Sequence, residues 1–258
     1  MDNKSKFNVA VLIDGDNAQA KLIKEILEEV SRYGKATIRR IYGDWTTPQM
    51  NSWKELINQY SINPIQKFSY TTGKNSTDSA MIIDAMDILH SKSVEGFCIV
   101  SSDSDYTGLA KRIREEGLFV MGIGERKTPT AFVKSCEIFT FCENLQPKTE
   151  KSISKSNPKK TSNKKNGSSS DKTEVKDSRL GPEELKLLDK AFEISTNTNE
   201  EDETYIAHIG STLRKIDPSF DPRSYGFRSL TQLFASIDKY QIVRNVVNGL
   251  NQPLVKLK

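Results

Sequence analysis

Two continuous apolar runs, each ending in a short acidic cluster, limit what this chain can fold into more than any other feature. The first is Val9-Ala10-Val11-Leu12-Ile13, running into Asp14-Gly15-Asp16-Asn17. The second is Gly96-Phe97-Cys98-Ile99-Val100-Ser101-Ser102, running into Asp103-Ser104-Asp105-Tyr106. An apolar run of this length, bounded by turn residues, suits a strand buried on both faces of a parallel sheet. Ligand sites in open parallel α/β sheets form beyond the carboxyl ends of the strands. Two such ends bearing carboxylates can converge on one hard divalent cation, which prefers oxygen ligands.

Each acid also has a plain structural reading. Asp14 to Asn17 suits a strand-to-helix turn capped by Asn17, and Asp105 suits a second cap. Caps need no partner, whereas a cation needs several acids at once. The recurrence of the pattern after two separate strands therefore favours metal chemistry. A third acid, Asp78, opens a helix expected over residues 77–89, where it also suits the helix dipole at roughly 0.3–1 kcal/mol. In that helix Ile82, Ile83, Met86 and Leu89 are expected on the apolar side, and Asp84 and Asp87 read as solvent-facing or structural. Lys74 and Asn75, just upstream, are placed to hold a phosphate. Trp45, after a strand ending at Tyr42, suits either base stacking or loop packing.

Around these runs, residues up to about 145 alternate strand-like and helical patterns. Strands are expected over 36–42, 64–68, 118–123 and 137–141, and helices over 20–30, 48–60 and 106–116. Such alternation implies right-handed crossovers and a three-layer α/β domain with a parallel sheet. The pattern changes after Gly181. Amphipathic helices are expected over 182–194, with Leu185, Leu188 and Phe192 inward, and over 205–216 and 229–240. Strands at 241–243 and 254–257 flank an Asn248-Gly249 turn. Three helices and a terminal hairpin describe a small winged helix-turn-helix.

The net charge of +4 conceals an asymmetry. Residues 146–180 hold ten Lys or Arg against four acids, and almost no large apolar side chain. Such a segment cannot bury enough surface to offset its ordering entropy, so a disordered basic linker is expected. It reads as a solubilising tether, a non-specific nucleic-acid contact, or both. With no apolar face on the linker, the flanking parts, 1–145 and 181–258, are expected to fold independently with few contacts between them.

The 258 residues are enough for one sizeable core and a smaller second one. No apolar run reaches membrane-spanning length and Met1–Lys6 is polar, so a cytoplasmic protein with no membrane partner is expected. Cys98, Cys136 and Cys142 have no metal-type spacing and read as reduced structural thiols. His90 and His208 are the only histidines and lie far apart, which argues against zinc.

Val-Leu-Ile-Asp14-Gly-Asp-Asn17, Lys74-Asn-Ser-Thr-Asp78, Val-Ser-Ser-Asp103-Ser-Asp105-Tyr and Arg126-Lys-Thr-Pro129 together resemble the NYN family of PIN-like nuclease domains. The resemblance spans roughly residues 8–145. It implies a PIN-like Rossmannoid fold, RNA as substrate class, and Mg2+ or Mn2+ held by a ring of acids. By position, Asp14 would be the central ligand with Asn17 beside it, Asp78 the opposing carboxylate, and Asp103 and Asp105 the rest of the ring. Ser102 and Ser104 stand where glycine is common in the family. Ile216-Asp-Pro218-Ser-Phe220-Asp-Pro-Arg-Ser-Tyr225-Gly226-Phe-Arg-Ser-Leu230-Thr-Gln-Leu233-Phe234 resembles the OST-HTH or LOTUS domain, whose members bind RNA or protein partners. This half has a net charge of −1, so a strong phosphate grip by it alone is not indicated. Arg223, Arg228 and Lys239 are its candidate contact patch.

The expected activity is metal-dependent hydrolysis of RNA phosphodiester bonds, endonucleolytic and directed to single strands. The residues carrying it are Asp14, Asp78, Asp103 and Asp105, with Asn17, Lys74, Asn75, Ser102 and Trp45 toward substrate. The rival is a non-catalytic RNA-binding adaptor on a PIN-like scaffold; a DNA nuclease or phosphatase is a further option.

Overall fold

The computed structural model describes residues 7–68, 76–146, 180–196, 203–247 and 250–258. Lys74, Asn75, nearly all of the basic linker and the Asn248-Gly249 turn lie outside the described residues. Both apolar runs form central strands. Strands β1 (Asn8–Asp14), β2 (Lys35–Gly43), β3 (Asn63–Gln66), β4 (Gly96–Val100), β5 (Phe119–Gly124) and β6 (Ile138–Phe141) make one parallel sheet. Their order is β3-β2-β1-β4-β5-β6, so β1 and β4 are neighbours where the order reverses.

Alternation along β1 builds two cores. Val9, Val11 and Ile13 pack with α1 (Ile23–Ser31) and with Trp53, which leads into α2 (Lys54–Gln59). Ala10 and Leu12 pack on the other face, against α3 (Ser76–Ser91), α4 (Thr107–Glu115) and α5 (Thr130–Ser135). Each fully buried Val, Leu or Ile contributes roughly 1.5–3 kcal/mol, which makes these strands the anchor of the domain. The short α6 (Cys142–Leu145) closes it.

Two expectations shift, for the face of α3 and for the segment over 48–60. The buried face of α3 is Met81, Ala85, Ile88 and Leu89, while Ile83 is exposed. Apolar residues occupy nearly every position from Ala80 to Leu89 save the two aspartates, so periodicity alone could not choose the face. Asp84 is structural: it accepts from Arg40 and from the Tyr42 hydroxyl, tying α3 to β2. Asp87 is exposed. The segment over 48–60 is a 3-10 stretch, Pro48–Trp53, followed by α2, rather than one helix.

The second domain comprises α7 (Pro182–Thr196), β7 (Glu203–Tyr205), α8 (Ile206–Ile216), α9 (Leu230–Ala235), β8 (Tyr240–Val243), β9 (Val246–Val247), β10 (Leu250–Asn251) and β11 (Leu254–Leu257). β11 pairs antiparallel with both β7 and β8, a sheet whose β7 member was not expected. Leu188 and Phe192 are buried as expected, but Leu185 sits at the exposed margin. The helix expected over 229–240 stops at Ala235. Tyr240 is worth more in β8, opposite Leu257 and packed against the rings of Phe192 at 5.1 Å and Phe234 at 5.0 Å. Gly226 takes a left-handed φ of 85°, a conformation that favours glycine, and ends the 3-10 turn that carries Arg223.

The two domains are docked, contrary to the expectation of few contacts. Folded surfaces of both domains make the contacts. Arg223 donates two bonds of 2.9 Å to Glu29, whose side chain is only 3% exposed and also pairs with Arg32 at 3.0 Å. The Phe139 N–H on edge strand β6 donates to the Pro218 carbonyl at 2.8 Å, and Asn144 donates to Ser224 at 2.9 Å. Arg214 lies over the Tyr33 ring at 5.8 Å. Arg223 is thus engaged inside the chain and does not belong to a free contact patch.

Removing Arg223 would leave the buried Glu29 carboxylate with Arg32 alone, two charge-assisted hydrogen bonds poorer inside the interface. Separation of the domains hydrates Glu29, so undocking is the cheaper response. Arg223→Ala is expected to increase the radius of gyration in solution scattering while each domain keeps its circular dichroism. An unchanged radius would show that the remaining contacts suffice.

Candidate metal centre

The carboxyl ends of β1 and β4 stop side by side because the register pairs Ile13 with Val100. Asp14, the last residue of β1, is fully buried. Its Oδ1 accepts from the Asp16 N–H at 3.2 Å, and its Oδ2 from Asn17 Nδ2 at 2.7 Å and Ser101 Oγ at 2.9 Å. Gly15 follows because a Cβ there would stand 2.7 Å from both the Tyr42 carbonyl and the Met50 methyl. Burial pushes the Asp14 carboxyl above its ordinary value of 3.8, against the lowering effect of Asn17 and Ser101.

Asp103 follows β4 by three residues and caps the next turn, its Oδ1 accepting from the Asp105 N–H at 3.0 Å. Ser101 links the two acidic loops, since its Oγ also accepts from the Asp103 N–H at 3.1 Å. Asp78, in the first turn of α3, faces them across the cleft and accepts from the Tyr106 hydroxyl at 2.6 Å. One oxygen each of Asp78, Asp103 and Asp105 lies within 4.8 Å of the others. Burial raises the Asp78 carboxyl from 3.8, the Tyr106 bond opposes this, and the charges of Asp14, Asp103 and Asp105 raise it further. Like charges this close favour a neutralising cation, and an all-oxygen donor set suits Mg2+ or Mn2+.

The expected site residues therefore divide. Asp78, Asp103 and Asp105 come together at one point, with Asp14 buried behind them and close enough to shift Asp78. Asn17 orients Asp14. The Ser102 Oγ accepts from the Glu125 N–H at 2.9 Å, so it braces the loop after β5. Trp45 is half-buried against the α1-side core, its indole N–H donating to the Ile65 carbonyl at 3.2 Å, which is loop packing. Sequence reasoning missed Ser101 and Tyr106. A serine continuing a buried strand and a tyrosine directly after the second acidic cluster were the available signals.

A parallel α/β domain with carboxylates gathered at its reversal point belongs to the class of Rossmann-like domains, with its candidate site where such sheets place theirs. Residues 8–145 match the family model of the NYN domain, and residues 183–251 that of the OST-HTH/LOTUS domain. The chain belongs to the NYN family, whose fold is that of PIN-like nucleases, and it carries a LOTUS domain behind it. It is 24% identical over 131 residues to the uncharacterized protein MJ0482 of Methanocaldococcus jannaschii, covering 47% of this chain and 49% of that one. The chain thus spans about half the length of the curated relative it matches. It is also similar to the crystal structure of a protein of unknown function, VPA0982, from Vibrio parahaemolyticus, with a TM-score of 0.45 and 17% identity. That match covers 54% of this chain and 94% of the other. Among the described residues no helix is long and apolar enough to cross a membrane.

Two outcomes follow from the crowded acids. Their raised folded-state values mean that Asp14 and Asp78 support folding fully only below the ordinary carboxylate range. That support is lost as pH rises through the folded values. Divalent cation should offset the loss: at ten times its Kd, Mg2+ or Mn2+ is expected to add about 1.4 kcal/mol. Tm should rise with added Mn2+ at pH 7.5 but not at pH 4, and no rise at pH 7.5 would contradict the site. Tyr106→Phe removes the donor that lowers the Asp78 carboxyl, so calorimetry should show Mn2+ affinity falling by about tenfold.

Proposed function

We propose that the chain is a metal-dependent ribonuclease that hydrolyses single-stranded RNA endonucleolytically, with Asp78, Asp103 and Asp105 holding Mg2+ or Mn2+. The observation that carries this reading is the convergence of those three carboxylates at the sheet's reversal point, in a domain of a nuclease-fold family. When bound, the cation would supply Lewis acidity toward a phosphodiester and neutralise developing charge.

The chain's own residues supply the rest. Tyr106 fixes the Asp78 carboxylate by donating to its Oδ1, which holds it in place beside Asp103 and Asp105. Ser101 and Asn17 fix Asp14, which adds negative charge behind the cluster without becoming exposed. No protein nucleophile is required. Lys74 and Asn75, just before α3 in the sequence, are the proposed phosphate contacts. The LOTUS domain would retain RNA or a protein partner, and the chain would act in the cytoplasm.

One observation favours a second reading. Both oxygens of Asp14 are already satisfied by hydrogen bonds within the chain. A scaffold that binds RNA without cutting it would need nothing more from that residue.

The two readings separate in an assay with labelled single-stranded RNA and Mn2+, Mg2+ or EDTA. Cleavage should need the metal, and Asp103→Asn should lower kcat/KM at least a hundredfold, about 2.7 kcal/mol of transition-state stabilisation. Asp87→Asn, at an exposed position away from the cluster, should leave the rate within about twofold. Metal-dependent binding without any cleavage would establish the adaptor reading instead.

A further inference from the structure

Beside the docked interface runs a cleft of about 860 Å3 between the two domains. One wall holds Arg114, at the end of α4, and Lys134, at the end of α5; the other holds Arg214 and Lys215, on α8. Glu137 is the one acid lining it. Arg114 is fixed by donating to the Lys134 and Ser135 carbonyls at 3.4 and 3.2 Å. Lys134 and Lys215 are exposed and have no ion-pair partner among the described residues. Phe119 and Ile206 contribute apolar surface between the charged walls.

Four cations against one acid, shared between two walls, call for an occupant with regularly spaced negative charge. The basic linker is repelled by such a cleft. A nucleic-acid strand fits, with phosphates toward the walls and bases over the apolar surface. The cleft is not the acidic rim. Asp105 precedes the start of α4 and Arg114 lies in its last turn, about 14 Å further along at 1.5 Å per residue.

We propose that the interdomain cleft is a second RNA-binding surface, which grips the phosphate backbone of a single strand away from the carboxylates. It rests on the reading of the chain as an RNA-binding protein, and it makes the docked arrangement, rather than either domain alone, the binding unit.

The test uses the full chain in EDTA, so that nothing is cut, with a labelled 20-nucleotide single-stranded RNA and anisotropy at several salt concentrations. Lys134→Glu with Lys215→Glu should weaken binding at least tenfold and lower the log–log salt slope by about 1.4, for two lost phosphate contacts. Lys134→Gln with Lys215→Gln should give a smaller loss in the same direction. Lys54→Glu with Lys186→Glu, the same charge change at exposed positions elsewhere, should stay within about threefold. Wild-type affinity and slope in the Lys134/Lys215 variants would overturn the cleft while leaving RNA binding intact. Displacement of RNA by polyglutamate at equal charge would make it an acidic-protein surface and overturn the proposal. Absence of any RNA binding by the wild-type chain would overturn the RNA reading with it.

Discussion

Parallel pairing of β1 with β4, from Val9 opposite Gly96 to Ile13 opposite Val100, sets the level at which both strands end. Because the sheet order reverses between them, the helices that follow leave toward opposite faces and a gap opens above the strand ends. Asp14 and Asp103 flank that gap by connectivity alone. The Ser101 hydroxyl, donating to one acid's side chain and accepting from the other's backbone, then locks the two loops together. α3, on the far side of the gap, adds Asp78. A slip of one residue in this pairing would turn Leu12 and Ile13 to the wrong cores and pull the acids apart together.

The parallel α/β architecture was legible because both central strands are apolar without interruption and end in the same chemistry. Asp103 and Asp105 were legible for the same reason, and Asp78 from its place at the start of a helix. Less legible was how Asp14 is used. Sequence places it at the strand end, but its complete burial follows from Gly15, which lets the chain close against the Tyr42 carbonyl and Met50. The face of α3 was obscured by apolar residues on nearly every side of that helix. The stop at Ala235 reflects a tertiary preference, since Tyr240 gains two ring contacts in the strand that a longer helix would forfeit.

Docking of the domains was hidden for a different reason. Glu29 sits in an amphipathic helix among Glu25, Glu28 and Arg32, where a charged residue ordinarily faces water. Only the fold brings Arg223 against it. The Phe139–Pro218 bond has a further effect: it occupies a backbone donor on edge strand β6, a place where an uncovered strand invites pairing with other chains. The second domain therefore protects the sheet's edge as well as forming one wall of the cationic cleft.

The function of the site depends on whether Asp78, Asp103 and Asp105 share one cation. A crystal soaked in Mn2+ answers this directly through anomalous scattering. The predicted result is a peak about 2.1 Å from an oxygen of each of the three carboxylates, lost in a crystal of Asp103→Asn. A full-occupancy peak elsewhere, or none at these acids in saturating Mn2+, would contradict it.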